Sequence, residues 1–270
     1  MDVVLDLLPS EETDRVRRRY AEDFIAAPAL DTSIIGFNLN QPPFDDARVR
    51  QALALAIDKQ ALANSLLGGH SLPADGGFIP DGMPGFSAGI GLPFDPDLAR
   101  QRLADAGFPK GQGFPAVDWL VLNWEVVAEH LRAQWRDVLG IHLPGAHVET
   151  AATLAGRLAE TAAPLYLVGW VADFPDPAGF TATAATYYGV SGQNAEYARL
   201  VGAAARTTNQ EARLNLYRQA DRILVNEALV IPLTYGRMHL LLKPWVKKYP
   251  VSAANYWFWQ DVVIAPDELP

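Results

Sequence analysis

Residues 34–57 read IIGFNLNQPPFDDARVRQALALAI, which holds a strand, a turn and a helix in immediate succession. The apolar start, Ile34–Leu39, predicts a strand that the pair Pro42–Pro43 brings to an end. Asp45 or Asp46 then caps a helix in which apolar residues recur every four positions: Val49, Leu53 and Ile57. A strand followed directly by an amphipathic helix is a building block of α/β folds.

The alternation of strands and helices continues on both sides of this stretch. Further strands are predicted at residues 3–8, 24–25, 117–122, 165–171, 229–235 and 238–242. Helices are predicted up to residue 20 and at residues 58–67, 95–107, 125–139, 154–162, 196–205 and 211–228. Residues 70–94 are rich in proline and glycine and predict a long surface loop. The fold class is therefore α/β, with helices that cover the sheets.

The composition narrows the possible functions. The 270 residues include 31 acidic and 22 basic side chains, and the net charge of −9 opposes binding to nucleic-acid phosphates. The chain has no cysteine, which excludes disulfides, zinc–thiolate sites and thiol catalysis. No apolar run approaches the ~18 residues that cross a bilayer, and the acidic first residues do not resemble a signal peptide. We therefore expect no nucleic-acid partner and no insertion into a membrane.

Two features could suggest an enzyme, and neither has the required surroundings. Gly85-Phe86-Ser87-Ala88-Gly89 matches the G-x-S-x-G pattern of serine hydrolases, which place the serine between a buried strand and a helix. Both flanks here are rich in glycine and proline, so a hydrolase that uses Ser87 is kept only as an alternative. The five histidines show no metal-ligand spacing, and no nucleotide-binding glycine motif is present. We predict no catalytic residue, no metal and no cofactor.

An aspartate follows the most apolar strand of the chain. Residues 165–171 read as a fully buried strand, and Asp173 comes shortly after them. Open α/β sheets bind ligands outside the carboxyl ends of their strands, which favours a ligand-binding role for Asp173. Helix capping or a structural ion pair is the alternative for this residue. We expect Asp176, which precedes Pro177, to cap the next helix.

Several segments of the chain resemble one known family. Gln41–Ala52 looks like the P-P-F-x-D-x-R-V-R-x-A segment of the family 5 solute-binding proteins, the oligopeptide- and dipeptide-binding components of ABC importers. Further similar segments follow in the family's order: Ala56–Lys59, Phe94–Pro96, Ala106–Pro109, Gly169–Pro177, Ile231–Leu233 and Leu241–Val246. Each is weak alone, whereas their order over most of the chain is specific.

The resemblance implies a periplasmic-binding-protein-like fold of type II, in which two α/β lobes close on a ligand. Family members are roughly twice as long, so the chain resembles their C-terminal half. Residues 32–235 would form one complete ligand-binding lobe, the second of the protein. Residues 1–31 and 236–270 would be fragments of the first lobe.

The resemblance also implies a binding site. In peptide-binding members a G-W-x-x-D segment edges the cleft, and in this chain that segment is Gly169-Trp170-Val171-Ala172-Asp173. By this resemblance Asp173 would pair with a ligand ammonium, and Trp170 would pack beside it. The backbones of Gly169 and Val171 would bond the main chain of a peptide.

Two further points concern the same cleft. Asn38, on the strand that enters the lobe, is a candidate for the cleft lining. Some relatives carry basic residues just before the G-W pair to hold a free carboxylate. This chain has the apolar run Tyr166–Val168 there, so the length and identity of the ligand stay open.

The implied function is the capture of a peptide or another small solute for a membrane permease, without catalysis. The full-length protein would act outside the cytoplasm as a monomer, peripheral to the membrane, with a targeting signal that this chain lacks. A ligand-sensing domain of a regulatory protein with the same fold is the alternative.

Overall fold

A computed structural model describes residues 3–5, 10–122, 124–150, 153, 163–249 and 259–265. The helix predicted at residues 154–162 lies outside the described residues. Of the strand predicted at residues 3–8, the part Val3–Leu5 is described and is extended.

The strands of the main sheet come from the whole length of the described chain. They are β1 (Val3–Leu5), β2 (Phe24–Phe37), β3 (Ser71–Pro73), β4 (Trp119–Leu122), β5 (His147–Glu149), β6 (Leu165–Val171) and β7 (Val230–Leu242). Their order in the sheet is β1-β7-β2-β6-β4-β5, and β3 pairs with β7. β6 runs antiparallel to β2 and parallel to β4. A separate two-stranded sheet pairs β8 (Val246–Lys248) with β9 (Val263–Ile264).

The described helices alternate with these strands as the sequence predicts. They are α1 (Ser10–Arg19), α2 (Ala47–Leu55), α3 (Lys59–Ala61), α4 (Pro96–Asp105), α5 (Glu125–Leu139), α6 (Ala178–Thr186), α7 (Ala195–Ala204) and α8 (Gln210–Asn226). The helix predicted at residues 58–67 differs, because α3 passes directly into a π-helix, Leu62–Leu66. There the N–H of Leu67 donates to the carbonyl of Leu62, five residues back (3.1 Å).

β2 and β7 are longer than the sequence predicts. The pattern predicted two short strands in each place, whereas the structure joins them into Phe24–Phe37 and Val230–Leu242. The residues between the short strands have weak strand propensity, but they pair with one another, as in Pro28 with Arg237. The partner strand therefore keeps these residues extended where the local sequence does not.

The ladder between β2 and β7 changes register at two points, and the larger change, between Pro28 and Thr32, forms a bulge. Pro28 pairs with Arg237 and Thr32 pairs with Tyr235, so residues 29–31 of β2 face Gly236 alone. On one side of this bulge lies the large apolar core of the molecule, which extends from Leu30 to Leu233. On the other side lies a small cluster of buried residues: Met238, Leu240, Val246 and Tyr249. Each of the two long strands thus packs in the large core at one end and in the small cluster at the other.

Helices cover both faces of the sheet in the large core. Thr32 and Ser33 are neighbours on β2 and therefore point to opposite faces. Thr32 Oγ1 donates to the carbonyl of Phe78 (2.9 Å), whose ring contacts Phe180 of α6 (centroids 5.1 Å apart). Ser33 borders a cavity together with Val127 of α5. α5 with its neighbour α4 thus lies on one face, and α6 with α7 and α8 lies on the other.

The first of the segments that carry the family resemblance, residues 41–52, has a structural role. Arg50 is buried, and its guanidinium donates to the carbonyls of Phe44 (2.7 Å), Glu227 (2.9 Å) and Ala228 (3.1 Å). Buried charges need such partners, and here three carbonyls supply them. Arg50 therefore ties α2 to the turn between α8 and β7.

Candidate functional site

β6 lies between β2 and β4, and its backbone groups alternate between these neighbours. The N–H of Asn38 donates to the carbonyl of Pro164 (3.0 Å) just before β6, and the N–H of Ala172 donates to the carbonyl of Leu30 (2.8 Å) just after it. In an antiparallel pair such bonded positions recur at every second residue. The even-numbered residues of β6 therefore turn their N–H and C=O groups to β2, and the odd-numbered residues turn theirs to the side of β4.

β4 covers only the first part of that second side. Its pairing with β6 runs from Leu165 to Leu167. Gly169 and Val171 come later in β6, and no described strand pairs with them on that side. Among the described residues, their N–H and C=O groups therefore form an open strand edge at the carboxyl end of a central strand.

The side chains around this edge are apolar, aromatic and acidic. Val171 and Phe174 are exposed (57% and 47%), and Asp173 lies exposed between them. Trp170 is half-buried, and its ring lies 6.5 Å from that of Tyr187, centroid to centroid. The indole N–H of Trp170 is buried and has no acceptor among the described residues. A molecule at this edge would meet a carboxylate and an aromatic surface.

The two aspartates of this segment differ in their surroundings. Asp176 is partly buried, pairs with Arg213, and accepts a hydrogen bond from the N–H of Ala178 (2.9 Å), the first residue of α6. Burial alone would raise the pKa of Asp176, but the hydrogen bonds from Arg213 and Ala178 outweigh it and lower that pKa. The residue at the cap position of α6 is Pro177, so Asp176, which the sequence predicts as the cap, precedes that position by one residue and accepts a hydrogen bond from the first N–H of the helix. Asp173 is an exposed carboxylate just beyond the end of β6.

One aromatic residue at this edge is missing from the prediction. Trp124 follows β4, and its Cη2 atom lies 3.1 Å from where a Cβ on Gly169 would stand. β4 and β6 are parallel, so the residues after their carboxyl ends come together. This rule, applied to the strands predicted at residues 117–122 and 165–171, could have identified Trp124. A side chain at position 169 would press against the indole ring.

The structure separates Asn38 from the other predicted site residues. Asn38 follows β2 and lies at the amino end of β6, next to Pro164, because β2 and β6 are antiparallel. Gly169–Asp173 is at the opposite end of the same strand. Asn38 borders another cavity, of about 320 Å³, which Tyr166 and Tyr188 also line. Only the segment Gly169–Asp173 is therefore brought together at the strand edge.

Ser87 does not have the setting of a hydrolase nucleophile. It lies in the loop between β3 and α4, with neither a strand directly before it nor a helix directly after it. Within the described ranges, no group of three or more histidine and carboxylate side chains is arranged to hold a metal ion. None of the helices that the structure describes is both long enough and apolar enough to cross a membrane.

Solved structures of other proteins share this fold. A periplasmic oligopeptide-binding protein from Borrelia burgdorferi matches 98% of this chain with a TM-score of 0.82 and 22% identity, over 54% of its own length. The murein tripeptide binding protein MppA of Escherichia coli matches 98% of this chain with a TM-score of 0.81 and 23% identity, also over 54% of its length. The chain thus has the mixed α/β fold of periplasmic oligopeptide-binding proteins, over about half of their length.

The sequence comparison then places the chain in a family. Residues 2–192 match the bacterial extracellular solute-binding proteins, family 5 Middle, and the chain belongs to this family. Heme-binding protein A of Haemophilus influenzae is 31% identical over 241 residues, which are 84% of this chain and 43% of that protein. The dipeptide-binding protein of E. coli is 25% identical over 266 residues, 93% of this chain and 49% of that protein. The chain spans about half the length of these curated relatives.

Family membership confirms the resemblance that the motifs indicated and the α/β binding-protein fold that it implied. The family consists of binding proteins and not of enzymes, so the prediction that the chain is not an enzyme is confirmed. The alternative of a hydrolase that uses Ser87 is wrong. The division at residues 31/32 and 235/236 and the binding roles within residues 169–173 stay predictions.

Proposed function

We propose that this chain is the C-terminal, ligand-binding half of a solute-binding protein that captures peptides outside the cytoplasm and delivers them to the permease of an ABC importer. The protein would bind its solute as a monomer, without a cofactor. The Borrelia structure with the same fold is described as a periplasmic oligopeptide-binding protein of an ABC transporter, which supports both the location and the kind of partner.

The observation that carries this proposal is the open strand edge at Gly169 and Val171. An extended peptide can add to such an edge as a further strand, because its N–H and C=O groups complement those of the edge. Main-chain pairing gives affinity without reading the ligand's side chains. This mode of binding suits a protein that takes up peptides of varied sequence.

The residues beside the edge suit the amino end of a peptide. Asp173 is exposed just beyond the strand and would pair with the α-ammonium group, as the family resemblance implies.

The bulge between β2 and β7 supports the predicted division into lobes. It spans residues 29–31 and Gly236, which coincide with the predicted boundaries at residues 31/32 and 235/236. The two apolar clusters lie on either side of it. In the proposed protein this bulge is where the chain passes between lobes, and the edge at Gly169–Asp173 faces the cleft.

The ligands named in the relatives differ, since one is named for heme and another for a dipeptide. The strand edge favours a peptide, because heme has no main-chain amides that could pair with Gly169 and Val171. A peptide of varied sequence is therefore the ligand class that we propose.

The test is calorimetry on the full-length protein that contains this chain, with a panel of di- to pentapeptides. We expect binding of peptides with a free amino terminus. Asp173→Asn should weaken that binding roughly 10- to 100-fold, since a hydrogen bond to a charged group contributes about 1.5–3 kcal/mol. N-acetylated peptides should bind weakly to both proteins.

Asp105→Asn is the matched control, because Asp105 is exposed at the end of α4, away from this edge. Absence of binding to every peptide would contradict the proposed function. Peptide binding that Asp173→Asn leaves unchanged would contradict only the role of Asp173.

A further inference from the structure

A cavity of about 320 Å³ lies at the amino end of β6, on the face of the sheet that α6 covers. Its lining comes from the end of β2 and the residues after it, from β6, and from the end of α6 and the residues that follow. Asn38 lines this cavity and bonds to Pro164, which precedes Gly169 by five residues. A strand rises about 3.3 Å per residue, so Asn38 lies roughly 16 Å along β6 from the proposed peptide edge.

Two buried tyrosines line the cavity without a hydrogen-bond partner. Tyr166 and Tyr188 are 4% and 5% exposed, and their ring centroids lie 5.8 Å apart. In the part of the chain that the structure describes, neither phenol hydroxyl makes a hydrogen bond to another residue. Burial raises the pKa of both phenols, so both hydroxyls keep a proton that they can donate. Because buried polar groups normally have hydrogen-bond partners, two unpaired hydroxyls at one cavity point to a ligand there.

The sheet is shaped to hold Tyr166 in this place. Gly36 is the direct partner of Tyr166 in the β2–β6 ladder, and a Cβ on Gly36 would lie 2.1 Å from Cε2 of the tyrosine ring and 2.5 Å from its hydroxyl oxygen. The phenol end of Tyr166 therefore occupies space that a side chain at position 36 would fill. Asn38 follows two residues later, on the same face, and adds an amide group to the lining.

The wall combines aromatic rings with uncharged polar groups. Tyr187 is 46% exposed, and its ring lies 5.6 Å from that of Tyr188, centroid to centroid. Asn40 also lines the cavity, and its side-chain oxygen accepts a hydrogen bond from the amide of Gln193. None of the lining residues within the described ranges is charged. Phenol and amide groups both donate and accept hydrogen bonds, which suits a ligand with hydroxyl groups.

The volume limits the size of such a ligand. A cavity of about 150 Å³ holds benzene, and sites for small molecules begin at about 300 Å³. The cavity at the amino end of β6, at about 320 Å³, therefore has room for one six-membered ring that carries several hydroxyl groups. A sugar ring meets each requirement, because it is uncharged, has hydroxyl groups around its edge, and has C–H faces that pack against aromatic rings.

We propose that this cavity is a second small-molecule site, which binds one uncharged sugar ring. The hydroxyl groups of Tyr166 and Tyr188 bond to hydroxyl groups of the sugar, and the tyrosine rings pack against its C–H faces. A sugar that carries a charged group loses hydration in the cavity without gaining a partner. The proposal does not depend on the proposed peptide function, since the two sites share none of the residues Gly169–Asp173.

Calorimetry on the full-length protein that contains this chain tests the proposal with glucose, galactose, mannose and xylose. We expect at least one of these sugars to bind with a Kd of roughly 10 µM to 1 mM, as is usual for a ligand of this size. Glucose 6-phosphate carries a charge, and benzyl alcohol lacks the ring of hydroxyl groups. Both should bind at least about tenfold more weakly than the best sugar.

Removal of single hydroxyl groups locates the site. Tyr166→Phe and Tyr188→Phe should each weaken sugar binding roughly 3- to 10-fold, and neither should lower the melting temperature, because no hydrogen bond within the protein is lost. Tyr197→Phe is the matched control. The hydroxyl of Tyr197 donates to the carbonyl of Thr181 (2.8 Å), so this variant should melt at a lower temperature and bind the sugar as the wild type does.

Two further variants separate the cavity from the peptide edge. Thr186→Trp places a large ring at the exposed end of α6, where Thr186 lines the cavity, and should block sugar binding. Asp173→Asn should leave sugar binding unchanged.

Four results would overturn the proposal. They are no binding of any of the four sugars at roughly 10 mM, binding of benzyl alcohol alone, sugar binding that is unchanged in Tyr166→Phe, Tyr188→Phe and Thr186→Trp, and sugar binding that Asp173→Asn abolishes. None of these results bears on whether the protein binds peptides, so the proposed function and this second site fail separately.

Discussion

Asp221 is a carboxyl group in the interior of the large core. Its side chain has no exposed surface and accepts hydrogen bonds from the N–H groups of Phe78 (2.8 Å) and Ile79 (3.4 Å). Burial raises the pKa of Asp221 to about 7, and these two hydrogen bonds oppose the shift only in part. Asp221 therefore holds the loop between β3 and α4 to α8, and its buried carboxyl group has a raised pKa.

This ionisation predicts how stability depends on pH. The ordinary pKa of the group is 3.8, so between pH 3.8 and about 7 the unfolded chain has lost a proton that the folded protein retains. The folded state then binds more protons, and its stability falls as the pH rises through this window and levels off above it. Asp221→Asn should remove the slope that this group contributes.

Urea unfolding at pH 5 and pH 7.5 measures the effect. We expect the wild type to lose on the order of 2–3 kcal/mol more than Asp221→Asn over this interval. Asp105→Asn, at an exposed carboxylate, should keep the slope of the wild type. The same slope in Asp221→Asn and the wild type would contradict the shift.

At the scale of elements, the dipeptide Asp95-Pro96 predicts where α4 begins. Asp95 accepts a hydrogen bond from the N–H of Leu98 (3.0 Å), and Pro96 is the first helical residue. Asp95→Ala should lower the free energy of unfolding by about 1 kcal/mol, because the first turn loses a partner for one of its N–H groups. Asp97, in the same turn, has a side chain 96% exposed, so Asp97→Ala should change stability by less than about 0.5 kcal/mol. Equal losses in urea unfolding would argue against the cap.

The long loop between β3 and α4 is held to α8 through a close approach of its backbone. A Cβ on Gly77 would lie 2.0 Å from Oδ2 of Asp221, whereas a Cβ on Gly145 would meet nothing within 4 Å. Gly77→Ala should therefore destabilise the protein by at least about 2 kcal/mol. Gly145→Ala should be neutral or slightly stabilising. Thermal unfolding compares the two, and a neutral Gly77→Ala would mean that the loop is free to move away from α8.

At the scale of the whole molecule, the chain spans about half the length of its relatives. In the proposed protein the other half would contribute the second side of the cleft. We expect the isolated chain to bind peptides at least 100-fold more weakly than the full-length protein. In the isolated chain, a bound peptide would face water on its far side. Such a peptide would gain little binding free energy, since each hydrogen bond to the strand edge replaces one to water. Parallel calorimetry of both proteins with one peptide tests this, and equal affinities would contradict the two-lobe proposal.

Much of the fold was predictable from local patterns. The capped helices α2, α4 and α5 and the buried strand β6 follow from apolar periodicity and from residues at their ends, which act within a few positions of one another. The continuity of β2 and β7 was not predictable, because partners far apart in the chain hold their weak central residues extended. The π-helix at Leu62–Leu66 likewise has no local signal that distinguishes it from an α-helix.

The sequence by itself determined the fold class and the family, and it predicted the segment Gly169–Asp173 as the binding site, because all three rest on residue order and on periodicity along the chain. Only the tertiary structure decided which backbone groups of that segment are open, since this depends on where β4 stops pairing with β6. It also brought Trp124 to Gly169 and left Asn38 at the opposite end of β6. The physical reason is that strand partners, and therefore edges and cavities, are set by contacts between residues distant in the chain.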